Sequence, residues 1–162
     1  MEQQVIIKIN EVEFGIPVSQ VISIEKTVEL TPIPNTPSYM LGIVDIREQV
    51  LPVLDLNMLL FNKQVNQDDN TRLIIVKSVH QTIVLMVEEA KEITVIYEED
   101  IQSLQNQSLK QSFIAGLAKV NEKLISLLNV DDLMGNLTSM DLIQDYVRQS
   151  IHGQNESSKQ QN

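Results

Sequence analysis

The side chains that could do chemistry are few, and carboxylates dominate them. Acidic residues cluster at Asp68-Asp69, Glu88-Glu89 and Glu98-Glu99-Asp100, and Asp45, Glu48 and Asp55 fall close together. A carboxylate pair hydrolyses a bond when both groups face one cleft and one has its pKa raised. A calcium loop needs ligands at alternating positions and a closing Glu, a spacing that none of these clusters has. They read as solvated acidic faces. Histidine occurs only at His80 and His152, and cysteine is absent, which excludes thiolates, disulfides and Cys-based zinc sites. No Gly-rich phosphate loop, Gly-x-Ser-x-Gly elbow or His-Glu-x-x-His helix occurs. No catalytic set, metal site or cofactor is expected. Arg47 stands apart from the carboxylates. Its guanidinium is a planar fork that suits either a partner's oxygen atoms or an intramolecular ion pair.

Composition narrows the class further. The 162 residues are 43% hydrophobic and 21% charged, a globular balance. Lys and Arg total 12 against 22 Asp and Glu, a net charge of 12 − 22 = −10, and no basic run interrupts it. Nucleic acid is therefore not an expected partner, because nothing would displace counterions from phosphates. Apolar runs break before the roughly 18 residues that span a bilayer, and Met1-Glu2-Gln3-Gln4 carries no basic leader. A cytoplasmic protein without direct membrane insertion follows as the expectation.

The elements that would position these residues are mostly short strands. Val5–Ile9 and Val12–Ile16 are β-prone and flank a polar Asn10-Glu11 turn. Pro17 stops the ladder, Val18–Val21 forms a helical turn, and Val21–Glu25 is extended again. Three prolines between Thr31 and Pro37 make a rigid connector. Gly42–Arg47 and Val50–Leu56 form a hairpin about Glu48-Gln49 that places Arg47 at its tip. Asp55 is an N-cap for a short helix to Phe61, and the polar stretch from Asn62 to Asn70 links two halves. Arg72–Val76 and Thr82–Val87 make the next hairpin, and Ile93–Ile96 is a strand. Gly116–Val120 and Leu124–Leu128 make the last hairpin. Leu137 to Gln149 has the spacing of an amphipathic helix, and residues 153–162 hold nothing to bury.

The stretch from Gly42 aligns with that from Gly116 without a gap, and an early segment of each half matches as well. Gly42 falls on Gly116, Val53 on Leu127, Asp55 on Asn129 and Leu59 on Leu133, and Phe14 matches Ile83. Ser19–Ile22 and Glu88–Lys91 take equivalent places. The fold expected is mainly β: two pseudosymmetric five-stranded SH3-like barrels with short helices and a C-terminal helix. Short strands without long intervening helices favour small barrels, and closure hides edge strands. One domain over 1–152 would hold a first subdomain of about 12–70 and a second of about 71–134. Its N-terminal strand and C-terminal helix would pack between or against them. Val18, Val21, Ile43, Val44 and Ile46 fill the first barrel or, as a group, line a binding surface.

The sequence at this point resembles the CheW family of chemotaxis coupling proteins. Phe14-Gly15-Ile16-Pro17-Val18-Ser19-Gln20-Val21 is similar to its "YGIPI..V" segment. Asn35 to Arg47 resembles "P.TP.Y..GV.NLRG", and Val50–Leu56 matches "V.PV.DL". Val87–Ala90 resembles "VD.V", and Gly116–Leu133 follows "G......I.ILNI..L". The likeness covers about Val5 to Met134. It implies the paired barrels and a non-catalytic adaptor. That adaptor bridges the cytoplasmic tips of methyl-accepting chemoreceptors and the regulatory domain of the histidine kinase CheA, in receptor arrays at the membrane. The groove between barrels would receive the receptor tip, and the first barrel a hydrophobic kinase contact. Val21, Gly42, Arg47 and Ala90 match positions tied to receptor coupling or array formation. The protein-binding set expected is thus Val18, Val21, Gly42, Ile43, Val44, Arg47 and Ala90.

Two departures stand out. Glu48 replaces the turn Gly, so the turn either avoids a positive φ or Glu48 takes up strain, and Asn57 replaces a basic residue. The length excludes a fused receiver or kinase domain and favours the stand-alone form. Alternatives are an adaptor of the same fold outside chemotaxis, as in type IV pilus motility, a carboxylate hydrolase using Asp45, Glu48 and Asp55, and a structural oligomer.

Overall fold

Three two-residue turns fold the chain back on itself. Asn10-Glu11, Arg47-Glu48 and Asn121-Glu122 all have both φ angles between 49° and 66°, the type I′ geometry that matches the right-handed twist of flanking strands. Asn tolerates this region; Arg and Glu are strained in it. Arg47-Glu48 occupies the turn, one residue earlier than Glu48-Gln49, and Glu48 adopts φ +66°.

The computed structural model describes residues 1–103 and 113–137. Its strands are β1 (Glu2–Ile9), β2 (Val12–Pro17), β3 (Val21–Lys26), β4 (Met40–Ile46), β5 (Gln49–Asp55) and β6 (Arg72–Lys77). They continue with β7 (Thr82–Val87), β8 (Glu89–Ile96), β9 (Ile101–Ser103), β10 (Ile114–Val120) and β11 (Lys123–Leu128). Helix α1 spans Leu56–Phe61, α2 spans Val130–Gly135, and a 3-10 turn covers Val18–Gln20. The helix expected from Leu137 to Gln149 and the tail at 153–162 fall, beyond Leu137, outside the described residues.

The strands make a six-stranded sheet, β8-β1-β2-β11-β10-β9, and a five-stranded sheet, β3-β6-β7-β5-β4. Both repeat one pairing scheme. Gly42 faces Val53 as Gly116 faces Leu127, each beside a bulge. Parallel pairing joins Val53 to Val84 and Leu127 to Gly15. Asp55 N donates to Tyr39 O at 2.7 Å, and Asn129 N donates to Phe113 O at 2.9 Å. After each leading hairpin the chain crosses to the other sheet: β3 leaves β2 to pair with β6, and β8 leaves β7 to pair with β1.

The expected pair of closed five-stranded barrels is corrected by this topology. Neither sheet closes: β8 and β9 are the edges of one, β3 and β4 of the other. Closure is not the device that protects the edges. Thr31 covers β4 through two hydrogen bonds with Ile43, at 2.9 and 2.8 Å. Bulges interrupt β3, β4 and β8, and Glu89, Lys91 and Glu92 put charge along β8. Bulges and charged side chains are effective guards against edge pairing.

Three apolar clusters hold the sheets. The largest lies between them, with Val5, Ile7, Phe14 and Ile16 meeting Ile74, Val76, Ile83 and Leu85. A second covers the other face of the five-stranded sheet with Val53, Leu73, Ile75 and Val84, and a third holds Ile6, Ile96, Ala118 and Ile125. Burial on both faces explains the unbroken apolar runs Leu73–Val76 and Ile83–Val87. Phe61 of α1 meets Phe14 of β2 edge-to-face with ring centroids 6.1 Å apart, tying the sheets together.

Candidate partner-binding surface

The two crossing strands build a groove at the open rim of the central cluster. Val21 pairs with Val76, and Ile24 with Ile74, on the five-stranded sheet. On the six-stranded sheet Ala90 pairs with Ile7, and Ile93 with Val5. Under the repeat, Val21 is equivalent to Ala90 and Ile24 to Ile93, and Ile24 faces Ala90 and Ile93 across the groove. Val21 and Ala90 are half-buried against the central cluster. Ile24 and Ile93 are 41% and 58% exposed. The groove holds about 330 Å³, with buried Val5 at its floor and Arg72, Lys91 and Glu92 on its rim.

Internal bonds occupy the rim cations. Arg72 Nη1 donates to the carbonyls of Asp69 and Thr71, both at 2.8 Å. Lys91 Nζ lies 3.0 Å from Glu13 Oε1, and that hydrogen bond raises the lysine pKa. With those cations engaged, the groove offers a partner the apolar side chains of Ile24, Ala90 and Ile93 and the carboxylate of Glu92.

A second surface lies at the β4–β5 turn. Arg47 Nη2 pairs with Glu25 Oε1 at 3.2 Å, with the Arg47 side chain 74% exposed. The ion pair borders a shallow hollow of about 440 Å³ with Lys26, Val28, Asp45 and Ile46. Exposed pairs of this kind contribute at most about 1 kcal/mol.

Gly42 positions that turn. Its φ is +148°, and a Cβ there would lie 2.5 Å from Thr31 O. Only Gly admits the Thr31 bridge at this distance. Ile43 and Val44 point into the central and second clusters and are 8% and 4% exposed. They brace the hairpin. Val18 sits on the 3-10 turn, half-buried against the central cluster. The structure thus gathers Val18, Val21 and Ala90 around one cluster and sets Gly42 and Arg47 on another hairpin.

Helix α1 packs against β5 and β7. Asp55, 1% exposed, caps it by accepting from Met58 N at 3.2 Å and from Val65 N at 2.9 Å. Burial pushes its pKa up, the amides of Val65, Met58 and Asn57 pull it down, and the Glu88 charge raises it again. That carboxylate serves as a cap. Asn57 Nδ2 donates to Glu88 Oε1 at 2.7 Å.

Of the groove residues, sequence reasoning singled out only Ala90, and it missed Ile24 and Ile93 among the rest. A signal existed: Val21-Ile22-Ser23-Ile24 places apolar side chains on both faces of a strand, one more face than the core uses. Among the described residues no group of three His, Asp or Glu could hold a metal. Among them also, no helix is long and apolar enough to cross a membrane.

Comparison with known proteins agrees with this layout. The CheW-like domain model matches residues 3–137. The chemotaxis protein CheW of Helicobacter pylori is 27% identical over 127 residues, 78% of this chain and 77% of that protein. Its namesake in Bacillus subtilis is 26% identical over 146 residues, covering 89% and 94%. The crystal structure of the scaffolding protein TtCheW from Thermoanaerobacter tengcongensis superposes with a TM-score of 0.77 at 26% identity, covering 85% of this chain and 94% of that one. With strands exchanged between two sheets and a match across nearly all the described residues, the chain belongs to the CheW-like domain family and is a non-catalytic signalling adaptor.

Proposed function

We propose that this adaptor couples chemoreceptors to the histidine kinase CheA by seating a receptor tip in the groove between β3 and β8. The observation that carries this reading is the pair Ile24 and Ile93, equivalent edge-strand positions left exposed beside a buried floor. A groove with apolar walls and a charged rim suits an amphipathic helix, which supplies apolar side chains at i, i+3, i+4 and i+7. The β4–β5 hairpin offers the regulatory domain of the kinase a second surface, with Arg47 as a polar anchor beside Val28 and Ile46. Gly42, Ile43 and Val44 hold that hairpin in place. The protein acts on the cytoplasmic side, at the membrane receptor arrays.

Reconstitution tests the reading. Kinase autophosphorylation is followed with receptor cytoplasmic fragments present and absent while the adaptor is titrated. The expected result is an adaptor-dependent change in kinase output that requires the receptor. Neither binding nor response, across several kinase and receptor paralogues, would remove the coupling function and leave the fold intact.

A further inference from the structure

The second crossover between sheets has a short, part-buried side-chain tie, where the first has only an exposed one, Gln20 Nε2 donating to Lys77 O at 3.4 Å. Glu88 is the single residue between β7 in one sheet and β8 in the other. Asn57, 4% exposed on α1, donates to its carboxylate at 2.7 Å. The same amide leaves its own Oδ1 buried without a partner. A buried unpaired acceptor is costly, so an amide here is explained by what its N–H holds. Under the repeat the equivalent of Asn57 is Asp131, whose carboxylate instead accepts from Val79 N at 2.8 Å. The first crossover is a 3-10 turn without a side-chain cap. Two residues beyond Glu88 lies Ala90, on the wall of the groove.

We infer that Asn57 is a positioning residue for the groove: its hydrogen bond to Glu88 sets where β8 leaves the five-stranded sheet, and so where Ala90 and Ile93 stand. The inference rests on the groove being the receptor site. Charge sharpens the effect. The Glu88 charge helps to raise the pKa of buried Asp55, and the Asn57 N–H is the donor turned toward Glu88. Without that donor, Glu88 is freed to swing toward water and the crossover loses its fixed point.

The test uses the full chain with Asn57→Asp, which keeps the side-chain shape and replaces the donor by a second carboxylate. Adding Glu88→Gln then restores one hydrogen bond with donor and acceptor exchanged. Amide resonances of Ala90 to Ile93 are recorded in the free protein, and affinity for a chemoreceptor tip fragment is measured where thermal melts show every variant folded. We expect Asn57→Asp to shift those resonances and weaken binding about tenfold, with both recovering in the double variant. If Asn57→Asp does not fold, Glu88→Ala alone gives the same two readings on a half-exposed side chain. Unchanged resonances would overturn the inference, as would weakened binding that Glu88→Gln does not recover. Should the unaltered protein not bind the receptor fragment, the groove assignment fails, and the resonances still decide whether Asn57 positions β8.

Discussion

Replacing Arg47 by Asn removes the guanidinium from the β4–β5 turn without asking the backbone to move. Asn10 and Asn121 occupy the same first position of the other two turns, with φ of 51° and 49° against 53° for Arg47. A residue that is neither Gly nor Asn costs about 1–2 kcal/mol in this region, and Asn recovers part of that, roughly 0.5–1 kcal/mol. Against the gain stands the ion pair with Glu25, 3.2 Å long and exposed, whose loss costs roughly 0.2–1 kcal/mol. The two nearly cancel. Folding stability should stay within about 1 kcal/mol of the parent, a melting shift of about 4 °C or less. Binding should respond differently. A charge-assisted hydrogen bond across an interface contributes about 1.5–3 kcal/mol, so partner affinity should fall by about ten- to hundredfold. Urea unfolding gives the first quantity, and receptor-dependent kinase autophosphorylation the second. Full coupling by Arg47→Asn would show that the guanidinium meets no partner. A stability loss above about 2 kcal/mol would show instead that Arg47 is there for the fold, since strain relief and a weak ion pair cannot sum to that.

Three further outcomes follow from the geometry. Gly42→Ala should destabilise by about 2–4 kcal/mol, because its Cβ would meet Thr31 O at 2.5 Å at a φ of +148°. Gly116→Ala, whose nearest contact is 3.0 Å to the Ile101 side chain, should cost about 1 kcal/mol, and equal losses in urea would contradict the account. Ile24→Lys and Ile93→Lys should leave stability within about 1 kcal/mol, since edge strands accept lysine, while receptor-fragment affinity drops at least about tenfold; calorimetric titration at wild-type strength would move the receptor site elsewhere. Asp55→Asn loses one of the two acceptors that serve Met58 N and Val65 N and should cost about 1–2 kcal/mol. Its pH dependence has a definite sign. The folded-state pKa of Asp55 is raised, so the parent gains stability as pH falls through that pKa and loses it as pH rises. The variant has no such proton, and the gap between the two should widen on acidification; a gap that narrows would mean that Asp55 is not the group taking up the proton.

Most elements were legible because the information that makes them is local. Alternation in Val12–Ile16, the polar pairs at Asn10-Glu11 and Asn121-Glu122, and a carboxylate ahead of Leu56–Phe61 each specify a strand, a turn or a cap within a few residues. The register of the repeat was legible too, since Gly42 and Gly116 stand at matching bulges. The turn at Arg47-Glu48 came one residue early because hairpin geometry, not polarity, chooses the two residues with positive φ.

Sequence alone determined most of the strands and their order, though not β9 or the start of β8 at Glu89, together with the near-absence of catalytic groups and the likeness to a family of adaptors. Tertiary structure decided which sheet each strand joins, that neither sheet closes, and which apolar side chains remain uncovered. Pairing partners are set by contacts distant in sequence, and β3 and β8 carry no local mark that sends them across. Ile74 and Ile24 are the same residue type, paired on neighbouring strands; one is fully buried and the other 41% exposed. The difference is that a second sheet packs over Ile74 and stops short of Ile24, and burial depends on what lies opposite a side chain, which its own strand does not encode.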